Sequence, residues 1–146
     1  MKFEKFAKKT GAHGKLMKGH GYSFLVSGEV AAVIPDFALN FYQTAKADES
    51  MLLTKVFNIF DIDELAKVAE LNRAIVLEAD GSSSAIRRIF QDHSGKEVSI
   101  SNEAFGLLEK QDHVYTGSID FNEKSINYLV VIKNQDVAGV IFQETI

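Results

Sequence analysis

Tyr22-Ser23-Phe24-Leu25-Val26-Ser27-Gly28-Glu29-Val30-Ala31-Ala32-Val33-Ile34 and Tyr128-Leu129-Val130-Val131-Ile132-Lys133-Asn134-Gln135-Asp136-Val137-Ala138-Gly139-Val140-Ile141 read alike, and their likeness decides the fold class. In each, an apolar run meets turn-forming residues and a second apolar run follows. Ser27-Gly28 suits a tight hairpin turn, because glycine tolerates positive φ. An acidic residue, Glu29 or Asp136, opens each final strand, and Val-Ala-small-Val-Ile follows in both. Buried strands favour valine, isoleucine and alanine anyway, so the letters alone also fit two unrelated hairpins.

The surroundings strengthen the repeat. Upstream of the first hairpin, Phe3, Phe6, Ala7 and Thr10 recur at helical spacing with Lys2, Lys5, Lys8 and Lys9 between them, which predicts an amphipathic helix over 2–10 stopped by Gly11. Upstream of the second, Ser101-Asn102 offers an N-cap, and Ala104, Phe105 and Leu108 predict a helix through about Lys110. Strands are expected at 15–18, 22–26 and 29–34 in one half, and at 113–120, 126–133 and 136–143 in the other. The unit is a helix followed by three strands, occurring twice. Such a duplication predicts two sheets of similar topology that meet, with the helices on one face.

Between the units the period changes. Leu52, Val56, Phe57 and Phe60 form one helical stripe, and Ile62, Leu65, Val68 and Ala69 another, so two helices are expected to meet near residue 60. Asp61 and Glu64 have the spacing of a capping box, with Phe60 and Leu65 as its hydrophobic staple. Residues 36–50 fit both a helix and an irregular connection. Beyond Asn72, strands at 74–79, 85–91 and 96–100 read as a meander, joined by Asp80-Gly81-Ser82 and His93-Ser94-Gly95. The 146 residues therefore read as one α+β domain: a first half over about 1–35, a helical insertion over about 36–72, and a second half over about 73–146.

Composition narrows the function classes. With no cysteine, thiolate metal sites and cysteine nucleophiles are excluded, and a cytoplasmic protein is expected. Met1-Lys2-Phe3-Glu4-Lys5 leads into no signal-peptide core, and no window approaches a membrane span. The net charge of −4 is unevenly spread: residues 1–20 hold six lysines and one glutamate, +5, so the rest carries −9. Lys2, Lys5, Lys8, Lys9, Lys15 and Lys18 are thus the candidates for DNA contact, since lysines on phosphates release counterions. The competing reading is a solvated helix face.

No catalytic signature emerges. His13 and His20 share the glycine-rich Gly11–Gly21 segment with Lys15 and Lys18, but their spacing matches no zinc motif. Successive backbone N–H groups there could cradle an anion, which makes that loop the alternative ligand site. Gly11-Ala12-His13-Gly14-Lys15-Leu16 departs from a P-loop in glycine spacing and lacks the following Ser/Thr. Asp61, Asp63 and Glu64 supply too few oxygens for a calcium loop. Ser82-Ser83-Ser84 reads as a loop, and of Arg87 and Arg88 one is expected to reach a partner or a carboxylate while the other is solvated. No cofactor and no metal are expected.

The duplicated half, and above all Tyr128-Leu129-Val130-Val131-Ile132-Lys133-Asn134-Gln135-Asp136-Val137-Ala138-Gly139-Val140-Ile141-Phe142-Gln143, resembles one domain of a DNA sliding clamp, the polymerase processivity factor, and its closing hairpin. The resemblance implies a non-enzymatic binding protein of DNA replication or of its protein partners, of the kind a phage or prophage uses to imitate or block a host clamp. Clamp rings close from six such domains, so a chain with one would need to form a homo-oligomer. The second helix, with Glu103, Glu109 and Lys110, lacks the basic face of a DNA-lining helix. A regulatory module acting by protein contact alone is the remaining alternative.

Overall fold

A computed structural model describes residues 1–79 and 83–145, with side chains described outside 76–85. The expected Asp80-Gly81-Ser82 turn and the Ser82–Ser84 run lie outside the described residues. Helix α1 (Phe3–Thr10) precedes strands β1 (Lys15–Gly19), β2 (Tyr22–Ser27) and β3 (Val30–Val33). Strand β4 (Asp48–Glu49) and helix α2 (Met51–Ile59) follow, then β5 (Val68–Ala79), β6 (Ser83–Asp92) and β7 (Glu97–Ser101). Helix α3 (Asn102–Phe105), β8 (His113–Phe121), β9 (Lys124–Lys133) and β10 (Asp136–Phe142) complete the α+β domain.

The repeat is present as geometry: α1-β1-β2-β3 and α3-β8-β9-β10 are each a short helix and an antiparallel meander. Instead of two sheets that meet, one sheet runs β4-β1-β2-β3-β10-β9-β8-β5-β6-β7. The reason is direct pairing of the third strands. Gly139 lies opposite Ala32, Val140 opposite Ala31 and Ile141 opposite Val30, and Phe142 N–H extends the seam to the Glu29 carbonyl at 2.7 Å. The repeat registers differently from its letters. Glu29 lies in the β2–β3 turn whereas Asp136 begins β10, and a bulge between Val137 and Gly139 takes up the extra residue. Beyond the bulge the letters and the register agree: Ala32 and Gly139 are equivalent in both and face each other, which puts a local two-fold axis between them.

The quoted hairpins are apolar on alternate and intervening positions alike because both faces of the central strands are covered. On one face Leu25, Ala32, Leu129, Val131 and Ile141 pack with Phe6 of α1 and Ala104 of α3. On the other, Phe24, Ala31, Val130, Val140 and Phe142 pack with Leu53, Val56 and Phe57 of α2. Two-residue turns at Asn122-Glu123 and Asn134-Gln135 have both φ positive, the twist that suits tight hairpins.

The sheet also curls. Val98 and Ile100 of β7 share a core with Leu129 and Val131 of β9, although three strands separate β7 and β9 in the order. The outer edge of β7 thereby meets the chain just past β10. Ser99 N–H donates to Gln143 Oε1 at 3.1 Å, and Arg87 Nη2 donates to the carbonyls of Ser99 and Gln143, both at 2.8 Å. These bonds occupy backbone groups that an open edge would offer to other chains. Arg88 donates to Asn102 Oδ1 at 2.8 Å and lies 4.6 Å from the Phe105 ring centre. Both arginines are half-buried and hydrogen-bonded within the chain, Arg87 to part-buried carbonyls and Arg88 to the exposed Asn102.

Two helix expectations are corrected. The stretch 62–69 forms a 3-10 turn at Leu65–Lys67 and then enters β5, where Val68 pairs with Tyr115 of β8. Asp61 Oδ1 accepts from Asp63 N–H as a local turn, Leu65 is 72% exposed, and Phe60 packs edge-on against Tyr115, so neither capping box nor staple forms. Within 36–72, α2 is the α-helix, preceded by 3-10 turns at Asp36–Phe41 and Thr44–Lys46. Helix α3 starts at the expected cap, with Ser101 Oγ accepting from Ala104 N–H, but ends at Phe105 rather than near Lys110. The following turn brings the Leu107 carbonyl to the Lys2 N–H at 2.7 Å.

The seam leaves no room at Gly139, where a Cβ would lie 2.7 Å from the Ala31 carbonyl oxygen. Gly139→Ala should destabilise the domain by about 1–3 kcal/mol in urea unfolding; an unchanged midpoint would contradict the packing. Tyr128 opposes Gly117 across β8 and β9 and is 2% exposed, and burial pushes its phenol up from 10.0 to about 12. A raised folded-state value favours the protonated form, so the stability it contributes is complete below pH 10 and is lost as pH rises through about 12. Wild type should lose about 2–3 kcal/mol more than Tyr128→Phe over that interval, and parallel stability curves would refute the assignment.

Candidate interaction surface

Helix α1 forms as its pattern dictates. Phe6 and Thr10 are buried, Phe3 and Ala7 are half-buried, and Lys2, Lys5, Lys8 and Lys9 stay exposed. Lys8 and Lys9 occupy the last turn, where cations favour the helix dipole, and Gly11 at φ 55° ends the helix. The two-fold arrangement then sets α1 beside α3. Lys5 Nζ donates to the Gly106 carbonyl at 3.3 Å, Lys9 Nζ lies 2.8 Å from Glu103 Oε2, and the Met1 amino group lies 2.5 Å from Asp112 Oδ2. Lys133 reaches Glu109 at 2.9 Å, which holds the Glu109 carboxyl below its ordinary value.

The six candidate lysines do not form one field. Lys9 is neutralised by Glu103. Along β1, side chains alternate: Leu16 joins the core on the α1 side and Met17 the core on the α2 side. Lys18 therefore falls on the α1 side and Lys15 on the opposite face. What remains on α1 is a stripe of Lys2, Lys5 and Lys8.

The alternative ligand loop is not a loop. Gly11–His13 is a 3-10 turn, Lys15–Gly19 is β1, and His20-Gly21 turns into β2. His13 and His20 stand at opposite ends of β1. His13 lines a groove of about 560 Å³ between α1, α3 and the β2–β3 turn, with Lys5, Lys9, Glu29 and Glu103. His20 lies on the α2 side, its ring 6.3 Å from that of Phe57. Among the described residues no group of three His, Asp or Glu side chains is placed to hold a metal ion.

Sequence reasoning missed an aromatic feature beside the stripe. Phe37 and Phe41, four residues apart in the 3-10 turn after Pro35, are 63% and 84% exposed. Phe37 lines the same recess of about 840 Å³ as Lys2 and Lys5. Exposed aromatics next to cations form a surface suited to recognition. The available signal was the density of aromatics in Asp36-Phe37-Ala38-Leu39-Asn40-Phe41, whose burial could not be read without the turn.

Among the described residues no helix is long and apolar enough to cross a membrane. Comparison with protein-family models, with curated proteins and with solved structures finds no match.

The Lys9–Glu103 pair is exposed on both sides, 58% and 76%, and such pairs contribute little. Glu103→Gln should change unfolding stability by less than about 0.5 kcal/mol. A loss several times larger would show that the pair, rather than the apolar packing beneath it, holds α1 to α3.

Proposed function

We propose that this chain is a non-enzymatic, clamp-like binding protein of DNA replication or of its protein partners. The observation that supports this reading is the duplicated α-β-β-β unit, with third strands paired and both helices side by side on one face. A sliding-clamp domain, which the sequence resembles, is built from a similarly duplicated half. The contacting surface on this reading is the Lys2, Lys5 and Lys8 stripe with Phe37 beside it. Glu103 on α3 limits phosphate contact to α1, which favours a surface that meets DNA from one side, or a protein at its aromatic patch, over one that encircles DNA.

Two measurements test the proposal. Light scattering across concentration should show an assembly smaller than a hexamer, and a stable hexamer would instead favour encirclement. Anisotropy with duplex and single-stranded oligonucleotides should show binding at low salt that weakens as salt rises. Lys2→Gln/Lys5→Gln/Lys8→Gln should lower the salt slope by roughly 2–3. Absence of binding to either oligonucleotide at low salt would exclude direct DNA contact. Retained binding by the triple variant would exclude the α1 stripe.

A further inference from the structure

On the α2 side a cleft of about 270 Å³ opens where the β1–β2 turn, the end of α2 and the β9–β10 turn converge. Its walls are aromatic. Tyr22 and Phe57 have ring centres 5.5 Å apart, Phe57 and Phe60 lie 6.4 Å apart at 89°, and His20 stacks on Phe57 at 28°. The perpendicular rings of Phe57 and Phe60 make a corner rather than a flat stack. Ile132 and Val137 add further apolar lining.

Two carboxylates stand at this corner, Asp61 after α2 and Asp136 at the start of β10. Neither enters an ion pair among the described residues. Each accepts a local backbone N–H on Oδ1, Asp61 from Asp63 at 3.0 Å and Asp136 from Val137 at 2.8 Å. Tyr22 and Asp136 line the same cleft, and the phenol of Tyr22 is raised, first by burial and then by Asp136.

The chemistry selects one class of occupant. An anion would meet two uncompensated carboxylates. A neutral apolar group would cover the rings but strip water from the carboxylates without replacing it. A cation satisfies both, because aromatic faces attract positive charge and carboxylates pair with it. The volume suits one head group, and the open mouth lets the rest of the ligand remain in solvent.

We infer that the cleft lined by Tyr22, Phe57, Phe60, Asp61 and Asp136 is a binding site for an organic cation of the alkylammonium or guanidinium class. The aromatic walls of the site lie on the α2 side, whereas Asp136 and Val137 also border the recess that holds Lys2 and Lys5; the inference stands independently of any role in DNA replication. The exposed mouth accepts such a head group as a free amine or at the end of a lysine or arginine side chain.

The test titrates the full chain with choline, Nα-acetyl-arginine amide and tert-butanol, a neutral tert-butyl counterpart of the trimethylammonium head, at pH 8 and low salt, read by two-dimensional NMR. Both cations should shift resonances of Tyr22, Phe57, Phe60 and residues 135–137, and tert-butanol should bind at least about tenfold more weakly. Tighter choline binding identifies a free quaternary amine as the source, and tighter arginine-amide binding a protein side chain; either supports the site. Asp61→Asn/Asp136→Asn replaces exposed groups while keeping their oxygen acceptors, and should weaken cation binding at least about tenfold. Unchanged resonances of the buried Leu129 and Ile100 will confirm that the variant is folded. Equal binding of tert-butanol, unaltered affinity in the folded double variant, or no cleft-confined shifts with either cation would overturn the inference.

Discussion

Everything in this domain depends on how closely β3 and β10 approach. Three facing residue pairs and one further hydrogen bond are the joint between the two α-β-β-β units. The joint is narrow, and three of its six facing residues, Ala31, Ala32 and Gly139, are small, with the Met1 side chain packed over Gly139. Once it forms, two meanders become one sheet, α1 and α3 are brought side by side, and central strands gain neighbours on both faces. The continuous burial of Tyr128 through Ile132 is the energetic result, since in a separate three-stranded sheet one face of that run would meet water.

Electrostatics follow from the same joint. The halves meet with a lysine-bearing helix against a helix carrying Glu103, so part of the basic character concentrated in residues 1–20 is spent internally. Asp92 shows how the second half holds its own polar group. Burial alone would raise its carboxyl, but hydrogen bonds from Thr116, Ser94 and the Lys96 N–H outweigh that and lower it. One recess places Lys2 and Lys5 beside exposed Phe37, with Glu4, Asp36 and Asp136 at its walls, and another places Asp61 and Asp136 beside an aromatic corner on the α2 side.

Periodicity carried much of the architecture. The inward set of α1, the two hairpins, the strands of the second meander and the Ser101 cap were legible because each is specified locally, by spacing or by a turn residue. The segment 62–69 was not, because Ile62, Leu65, Val68 and Ala69 fit a helical stripe equally well, and the choice is made by the pairing of β5 with β6 and β8 far along the chain. The bulge beside Ala138 was hidden for a similar reason: aligning letters matched Glu29 to Asp136, whereas aligning turns places Glu29 in the turn, one position before the start of β3. Of the candidate surface, the lysines of α1 were legible. The pairing of Lys9 with Glu103 on α3, the splitting of Lys15 from Lys18, and the gathering of Tyr22, Phe57 and Phe60 with Asp61 and Asp136 all arise from contacts between distant segments.

The account makes the two units one cooperative structure through the β3–β10 seam. Native-state hydrogen exchange resolved by residue tests this most directly. Amides of Val30–Val33 and of Gly139–Phe142 should open with one shared free energy equal to that of global unfolding. Exchange of the β1–β3 meander at a distinctly lower free energy than β8–β10 would show that the halves are separate units and would contradict the seam as the organising joint.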